Sequence, residues 1–277
     1  SRRSSDLFEN PIVQRNLQTL EEFGYKIITP DAGYLACGYQ GKGRLPEPER
    51  LVEEIKKELS QKDLKNKKIL ITAGPTREAI DPVRFLTNHS SGKMGYALAR
   101  AASYRGAEVK LISGPTELEK PLGVELIKIE SAEEMKAEVF KESDAADIII
   151  MAAAVADYRP RAYSSQKIKK KDAALNLNLE RTTDILAELG KKKVNSQLLV
   201  GFAAESENLL ENAQQKLTKK QADYIIANDI SSKNIAFGSD KNQVSILSEE
   251  GRTKLPLLEK EKLADKIFDY IIGAERK

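Results

Sequence analysis

Cysteine is nearly absent from this chain. Its 277 residues hold one, Cys37, which excludes an internal disulfide and suits a reducing compartment. Histidine is equally scarce: His89 stands alone, 52 positions from that cysteine, so the ligand set of a structural zinc site is missing. Long hydrophobic runs are lacking too. The longest, Ile148 to Ala156, covers nine residues, too few for a membrane helix. Ser1-Arg2-Arg3-Ser4-Ser5 is basic, but no apolar stretch follows it, so no signal peptide is expected. Nor does one sign of charge dominate. With 45 basic and 42 acidic residues the net charge is +3, which argues against a strong nucleic-acid footprint and leaves room for a local basic cluster. What remains is ample for folding: 40% hydrophobic and 31% charged residues describe a globular chain that can bury a core. A cytoplasmic protein is expected.

From Lys68 onward two periods alternate. Ile69–Thr72, Glu108–Ile112, Glu125–Ile129, Ile148–Ala153, Leu198–Phe202 and Tyr224–Ala227 are short apolar runs, mostly without polar alternation. Strands covered on both faces have that pattern. Helical stretches fall between several of them, at Ser91–Arg105, Ala132–Glu142, Thr183–Lys192 and Asn208–Gln221. Alternation of this kind predicts an α/β fold, a mostly parallel sheet flanked by helices. Val244–Leu247, Glu249-Glu250-Gly251 and Leu255 predict a hairpin closing one edge, and a last helix is expected over Lys260–Ile272.

The first 60 residues differ. Glu9-Asn10-Pro11 opens a short helix, Val13–Phe23, and a strand is expected at Tyr25–Ile28. Gly33, Gly38, Gly41 and Gly43 make a glycine-rich loop, and Pro46-Glu47-Pro48 introduces a charged helix over Glu49–Ser60. Gln61–Lys67 is polar enough to be a linker, so the natural boundary lies near 60. The first segment is too small to supply its own core and reads as the tail of a larger domain.

The motifs cluster at expected strand ends. Thr72-Ala73-Gly74-Pro75-Thr76-Arg77-Glu78 leads through a polar loop to Asn88-His89-Ser90-Ser91-Gly92-Lys93-Met94-Gly95, where a helix is expected to start. Bare amides, two hydroxyls and glycines there make an anion site. The plainer alternative is a serine N-cap, which needs only one of those residues. A Walker A spacing is absent. A dinucleotide site fits poorly, since Leu111-Ile112-Ser113-Gly114 lacks the acid that holds a ribose hydroxyl. Tyr163 and Lys167 match the Tyr-x3-Lys of short-chain reductases, but Pro160 and the polar segment after it speak against the helix that pair requires. Lys167-Ile168-Lys169-Lys170-Lys171 follows the end of a buried strand, where open α/β sheets place ligands. It suits a polyphosphate; a solvated loop is the alternative. Lys216 and Lys220 share a helix face, which is unfavourable unless an anion lies between them.

Taken together, residues 71–78, Asp81-Pro82-Val83-Arg84, Asn88–Gly95, Ala152–Tyr158, Lys167–Lys170 and Gly201-Phe202-Ala203-Ala204-Glu205 resemble the phosphopantothenate–cysteine ligase family, the synthetase half of a bifunctional coenzyme A biosynthesis protein, over about residues 68–270. Glu9-Asn10-Pro11 through Arg44 resembles the C-terminal end of the partner half, the flavin-dependent phosphopantothenoylcysteine decarboxylase. The resemblance implies a Rossmann-like ligase domain over 61–277 and a decarboxylase remnant over 1–60. It implies a CTP-dependent joining of 4′-phosphopantothenate and L-cysteine through an acyl-cytidylate, with Mg²⁺, in a homodimer. Lys167 would neutralise the α-phosphate. Met151, Ala152, Ala153, Asp157, Thr182 and Phe202 would frame the nucleotide, Lys216 and Lys220 would hold its phosphates, and Asp157 is a candidate metal ligand. Asn88, reaching across the dimer, would serve the acyl-cytidylate, with Ser90, Ser91 and Gly92 on the substrate. Cys37 would be the decarboxylase proton donor, and FMN would belong to that half alone; its upstream flavin fold is absent and Ser1–Phe8 replaces a family motif, so no decarboxylation is expected from this chain. The remaining alternatives are a short-chain-type reductase and a non-catalytic nucleotide-binding module.

Overall fold

The computed structural model describes residues 7–35, 38–170, 175–194, 196–205, 209–229 and 239–275. The chain divides into two units, residues 1–60 and 61–277. In the first, helix α1 (Pro11–Glu22) starts where Asn10 caps it: the Asn10 side chain accepts from the Ile12 amide at 2.9 Å, and proline takes the first helical position. The strand expected at Tyr25–Ile28 does not form. The strands are β1 (Asp31–Tyr34) and β2 (Gln40–Arg44), an antiparallel pair built from the glycine-rich stretch itself. A strand needs a hydrogen-bonded partner, and the chain folds back on itself around Gly38, whose φ of +82° suits glycine. Helix α2 (Pro48–Leu59) follows, and neither helix buries a residue.

The second unit opens with β3 (Lys68–Ala73), a small antiparallel pair β4 (Arg77–Ala79) and β5 (Phe85–Thr87), and helix α3 (Lys93–Tyr104). Then come β6 (Glu108–Ser113), β7 (Val124–Lys128), α4 (Ala132–Ser143) and β8 (Ile148–Met151). A second small pair, β9 (Tyr158–Pro160) and β10 (Leu179–Arg181), precedes α5 (Ile185–Lys192), β11 (Leu198–Glu205), α6 (Leu209–Lys219) and β12 (Tyr224–Asp229). The chain ends with β13 (Lys241–Asn242), β14 (Val244–Ser248), β15 (Gly251–Lys254), β16 (Leu258–Glu259) and α7 (Lys260–Glu275).

Eight of these strands form one sheet in the order β15-β14-β12-β11-β8-β3-β6-β7. From β7 to β12 all pairs are parallel, while β14 and β15 add the expected antiparallel hairpin at one edge. Counting the parallel strands by first appearance gives 3-2-1-4-5-6, the doubly wound order. Both faces are covered. Ile69, Ile71, Ile148, Ile150, Val200 and Ile226 belong to the core that includes Leu98 of α3 and Phe268 of α7. Their neighbours Leu70, Ile149, Leu199 and Ile225 belong to the core with Met135 of α4, Leu189 of α5 and Leu217 of α6. Consecutive side chains enter opposite cores, so the runs are apolar without alternation. Arg105, just past α3, forks onto Asp63 at 2.6 Å and Asp269 at 2.9 Å, tying the start of the unit to α7. Among the described residues no helix is long and apolar enough to cross a membrane.

Candidate functional site

Strand order reverses between β3 and β8, and in open α/β sheets the carboxyl ends of the strands at such a point carry the ligand. Here those ends are stitched together. The Thr72 hydroxyl accepts from the Ala153 amide at 3.1 Å, and the Thr76 hydroxyl accepts from the Ala156 amide at 3.0 Å. The Ala154 amide donates to the Gly74 carbonyl at 2.9 Å, and the Ala154 carbonyl accepts from the Thr76 amide at 3.3 Å. Both threonines are fully buried. β8 therefore stops at Met151, two residues short of the expected end, because the Ala153 amide turns to a side chain rather than to a strand.

Helix α3 also starts later than expected, at Lys93, with Gly92 as its N-cap at φ +74°. A Cβ on Gly92 would lie 2.8 Å from Thr116 Cγ2 and 3.3 Å from the Gly74 Cα, so only glycine allows this approach. No side chain caps the helix. Ser90 Oγ instead accepts from the Gly92 amide at 3.4 Å, so the serine-cap alternative does not hold. The helix start lies beside the end of β3, with Ser90 and Ser91 half-buried next to it.

The site residues expected from the sequence converge in part. Asn88 donates from Nδ2 to the Ala154 carbonyl of its own chain at 3.1 Å, which brings it onto the β8 end. Met151 is buried, Ala152 and Ala153 are half-buried, and Asp157 is exposed. Thr182 joins them, its amide donating to the Asp157 carbonyl at 3.0 Å and its hydroxyl to the Ala156 carbonyl. Phe202 is half-buried on β11, one residue past Gly201, which pairs with Met151. Lys220 pairs at 3.0 Å with Asp184, the N-cap of α5. Lys216 is half-buried on α6. Residues 161–170 contain neither helix nor strand, so Tyr163 and Lys167 do not share a helix face. Cys37 lies outside the described residues.

Asp81 and Arg84 are the residues sequence reasoning left without a role. The Asp81 side chain is fully buried and accepts from the Val83 and Arg84 amides, both at 2.9 Å. It also accepts from Arg84 Nε at 3.0 Å, from Arg84 Nη2, and from the Ile168 amide at 3.0 Å. The Arg84 guanidinium, helped by those amides, outweighs burial and holds the carboxyl well below the usual carboxylate range. Asp-Pro-x-Arg is a turn signal in which an aspartate accepts from the amides just beyond it, and that signal was present. Its long-range partner, Ile168, was not legible.

A family model described as DNA/pantothenate metabolism flavoprotein C-terminal domain matches residues 64–274, and one described as flavoprotein matches residues 4–60. The chain is 47% identical over 275 residues to the coenzyme A biosynthesis bifunctional protein CoaBC of Bacillus subtilis (strain 168), covering 98% of this chain and 68% of that protein. The CoaBC protein of Vibrio cholerae serotype O1 is 44% identical over 270 residues, covering 97% of this chain and 68% of its own. Among solved structures, the crystal structure of the C-terminal domain of coenzyme A biosynthesis bifunctional protein CoaBC superposes with a TM-score of 0.66 at 45% identity, covering 78% of this chain and all of that one. With a matching model over most of its length and relatives at this identity, the chain belongs to the family of the DNA/pantothenate metabolism flavoprotein C-terminal domain, that of the bifunctional CoaBC proteins.

Proposed function

We propose that the chain is a ligase of coenzyme A biosynthesis that joins 4′-phosphopantothenate to L-cysteine at the expense of CTP. The observation that carries this reading is the stitched carboxyl end of β3 and β8. There, half-buried backbone, the start of α3 and Asn88 meet at the switch point. The first step joins anions: the carboxylate oxygen of 4′-phosphopantothenate attacks the α-phosphorus of CTP, and pyrophosphate leaves. The cysteine amine then attacks the acyl carbon, CMP leaves, and an amide remains. Both steps ask for cations, oriented donors and positioning rather than a protein nucleophile. In this reading Lys167 neutralises the α-phosphate, and Met151–Ala153, Asp157, Thr182 and Phe202 frame the nucleotide. Lys216 and Lys220 hold its phosphates, with Lys220 exchanging Asp184 for the ligand. Ser90, Ser91 and Gly92 hold the substrate.

Mg²⁺ would travel with the nucleotide. Among the described residues no three candidate ligand side chains converge, and Mg²⁺ commonly takes one or two carboxylates plus substrate phosphates. Exposed Asp157 fits that part, and the ion would spread the charge that builds on the phosphates. The homodimer is part of the same reading. Residues 1–60 are proposed as the end of a flavin-dependent decarboxylase unit. FMN would belong to that unit as a whole, of which residues 1–60 are one end. No step is assigned to this unit.

The test is nucleotide-dependent turnover of the purified chain. CTP with Mg²⁺, phosphopantothenate and cysteine should yield pyrophosphate, CMP and the amide, and ATP should serve less well. Absence of turnover with either nucleotide, or hydride transfer with a nicotinamide cofactor, would overturn the reading. Asn88 gives a finer check. Asn88→Asp removes the Nδ2 donor from the Ala154 carbonyl and sets a negative charge beside it. Pyrophosphate release should survive while amide formation slows by about 100-fold, as separated by quench-flow. Equal loss of both would reduce Asn88 to a support for the loop.

A further inference from the structure

A loop rich in lysine is useful to a triphosphate only if its ammonium groups are held where the phosphates will be, and the lysine segment here has an anchor. Ile168 sits between Lys167 and Lys169, and its backbone is gripped on both sides. Its amide donates to Asp81 Oδ2 at 3.0 Å, and its carbonyl accepts from Arg84 Nη2 at 2.9 Å. A few residues upstream, the Ser164 amide donates to the Ile80 carbonyl at 3.0 Å. The stretch carrying Lys167 is therefore fastened at two points to the turn after β4, although it has no helix or strand of its own.

The anchor is built so as not to capture what it positions. Five N–H donors fill the two Asp81 oxygens: two on Oδ1 from Val83 and Arg84, three on Oδ2 from Arg84 and Ile168. Arg84 also offsets the negative charge. No lone pair is left to hold a neighbouring ammonium. Consistently, among the described residues no carboxylate pairs with Lys167, Lys169 or Lys170, and all three are exposed. An asparagine at 81 would turn two donors of its own toward these donors.

Resting on the ligase reading above, we propose that Asp81 is a positioning residue: with Arg84 it fixes the backbone of Ile168 and so presents Lys167 to the nucleotide phosphates. Its contribution is to order the segment before the ligand arrives, and a displacement of about 1 Å at a reacting group can cost about 100-fold in rate.

The test is a double-mutant cycle in the full chain. Asp81→Asn should lower single-turnover pyrophosphate release by about 100-fold. In the Lys167→Gln background the same substitution should cost less than about 2-fold, because it acts through a lysine already gone. Losses that multiply would overturn the proposal, since a merely structural role is indifferent to Lys167. Should Asp81→Asn fail to fold, amide exchange in the unchanged protein decides. The Ile168 amide should exchange at least about 100-fold more slowly than those of Lys169 and Lys170, and equal rates would overturn the anchor. If the unchanged protein releases no pyrophosphate from CTP, the ligase reading fails and the proposal with it. If it does, and the losses multiply, the proposal fails alone.

Discussion

Lys167→Gln should abolish most of the carboxylate activation while leaving the fold intact. The side chain is exposed and pairs with no carboxylate among the described residues, so its loss breaks no ion pair among them. A preorganised cation on a phosphoryl group in flight is worth about 3–4 kcal/mol, or roughly 100- to 1,000-fold in rate. Rapid-quench measurement of pyrophosphate release, with a melting curve beside it, reads both halves of the expectation. A parent-like rate would return the lysine run to the status of a solvated loop.

Gly95→Val carries the largest expected cost in stability. A Cβ at position 95 would lie 2.5 Å from the Ala73 Cβ and 2.9 Å from the Thr72 carbonyl oxygen, where nonbonded carbons prefer about 3.5–4.0 Å. The lower entropy of a non-glycine residue in a helix favours the substitution by less than about 1 kcal/mol. Overpacking against β3 opposes it with about 3 kcal/mol. The clash wins, and a net loss of about 2–3 kcal/mol lowers Tm by roughly 4–12 °C in a unit of this size. The same displacement moves the start of α3 away from Gly74, so turnover should fall further than stability alone explains. An unchanged melting temperature would contradict this close approach of helix and strand.

Much of this unit was legible because its signals are periodic. Runs such as Ile69–Thr72 and Leu198–Phe202 lack alternation because consecutive residues enter opposite cores, and the hairpin at Glu249-Glu250-Gly251 announced itself by its turn. Where sequence reasoning failed, side chains or tertiary partners overruled local pattern. β8 ends early because Thr72 takes the Ala153 amide, and α3 starts late because Gly92 is pressed between Gly74 and Thr116. Tyr25–Ile28 looked like a strand and had no partner, whereas the glycine-rich stretch had one in itself. At the strand end, Asn88 and the alanine-rich run were visible as motif residues. The bond from Asp81 to Ile168 spans 87 positions, and no local spacing encodes a contact at that range. The pairing of Lys220 with Asp184 was hidden for the same reason.

Attack at the α-phosphorus before cysteine takes part is the central step of the proposed reaction. The direct measurement is to mix the protein with CTP, Mg²⁺ and phosphopantothenate in the absence of cysteine and follow the phosphates. The expected result is a burst of one pyrophosphate per active site and a bound acyl-cytidylate that becomes the amide, with release of CMP, when cysteine is added. Orthophosphate and CDP in place of pyrophosphate and CMP, or pyrophosphate that appears only once cysteine is present, would contradict it.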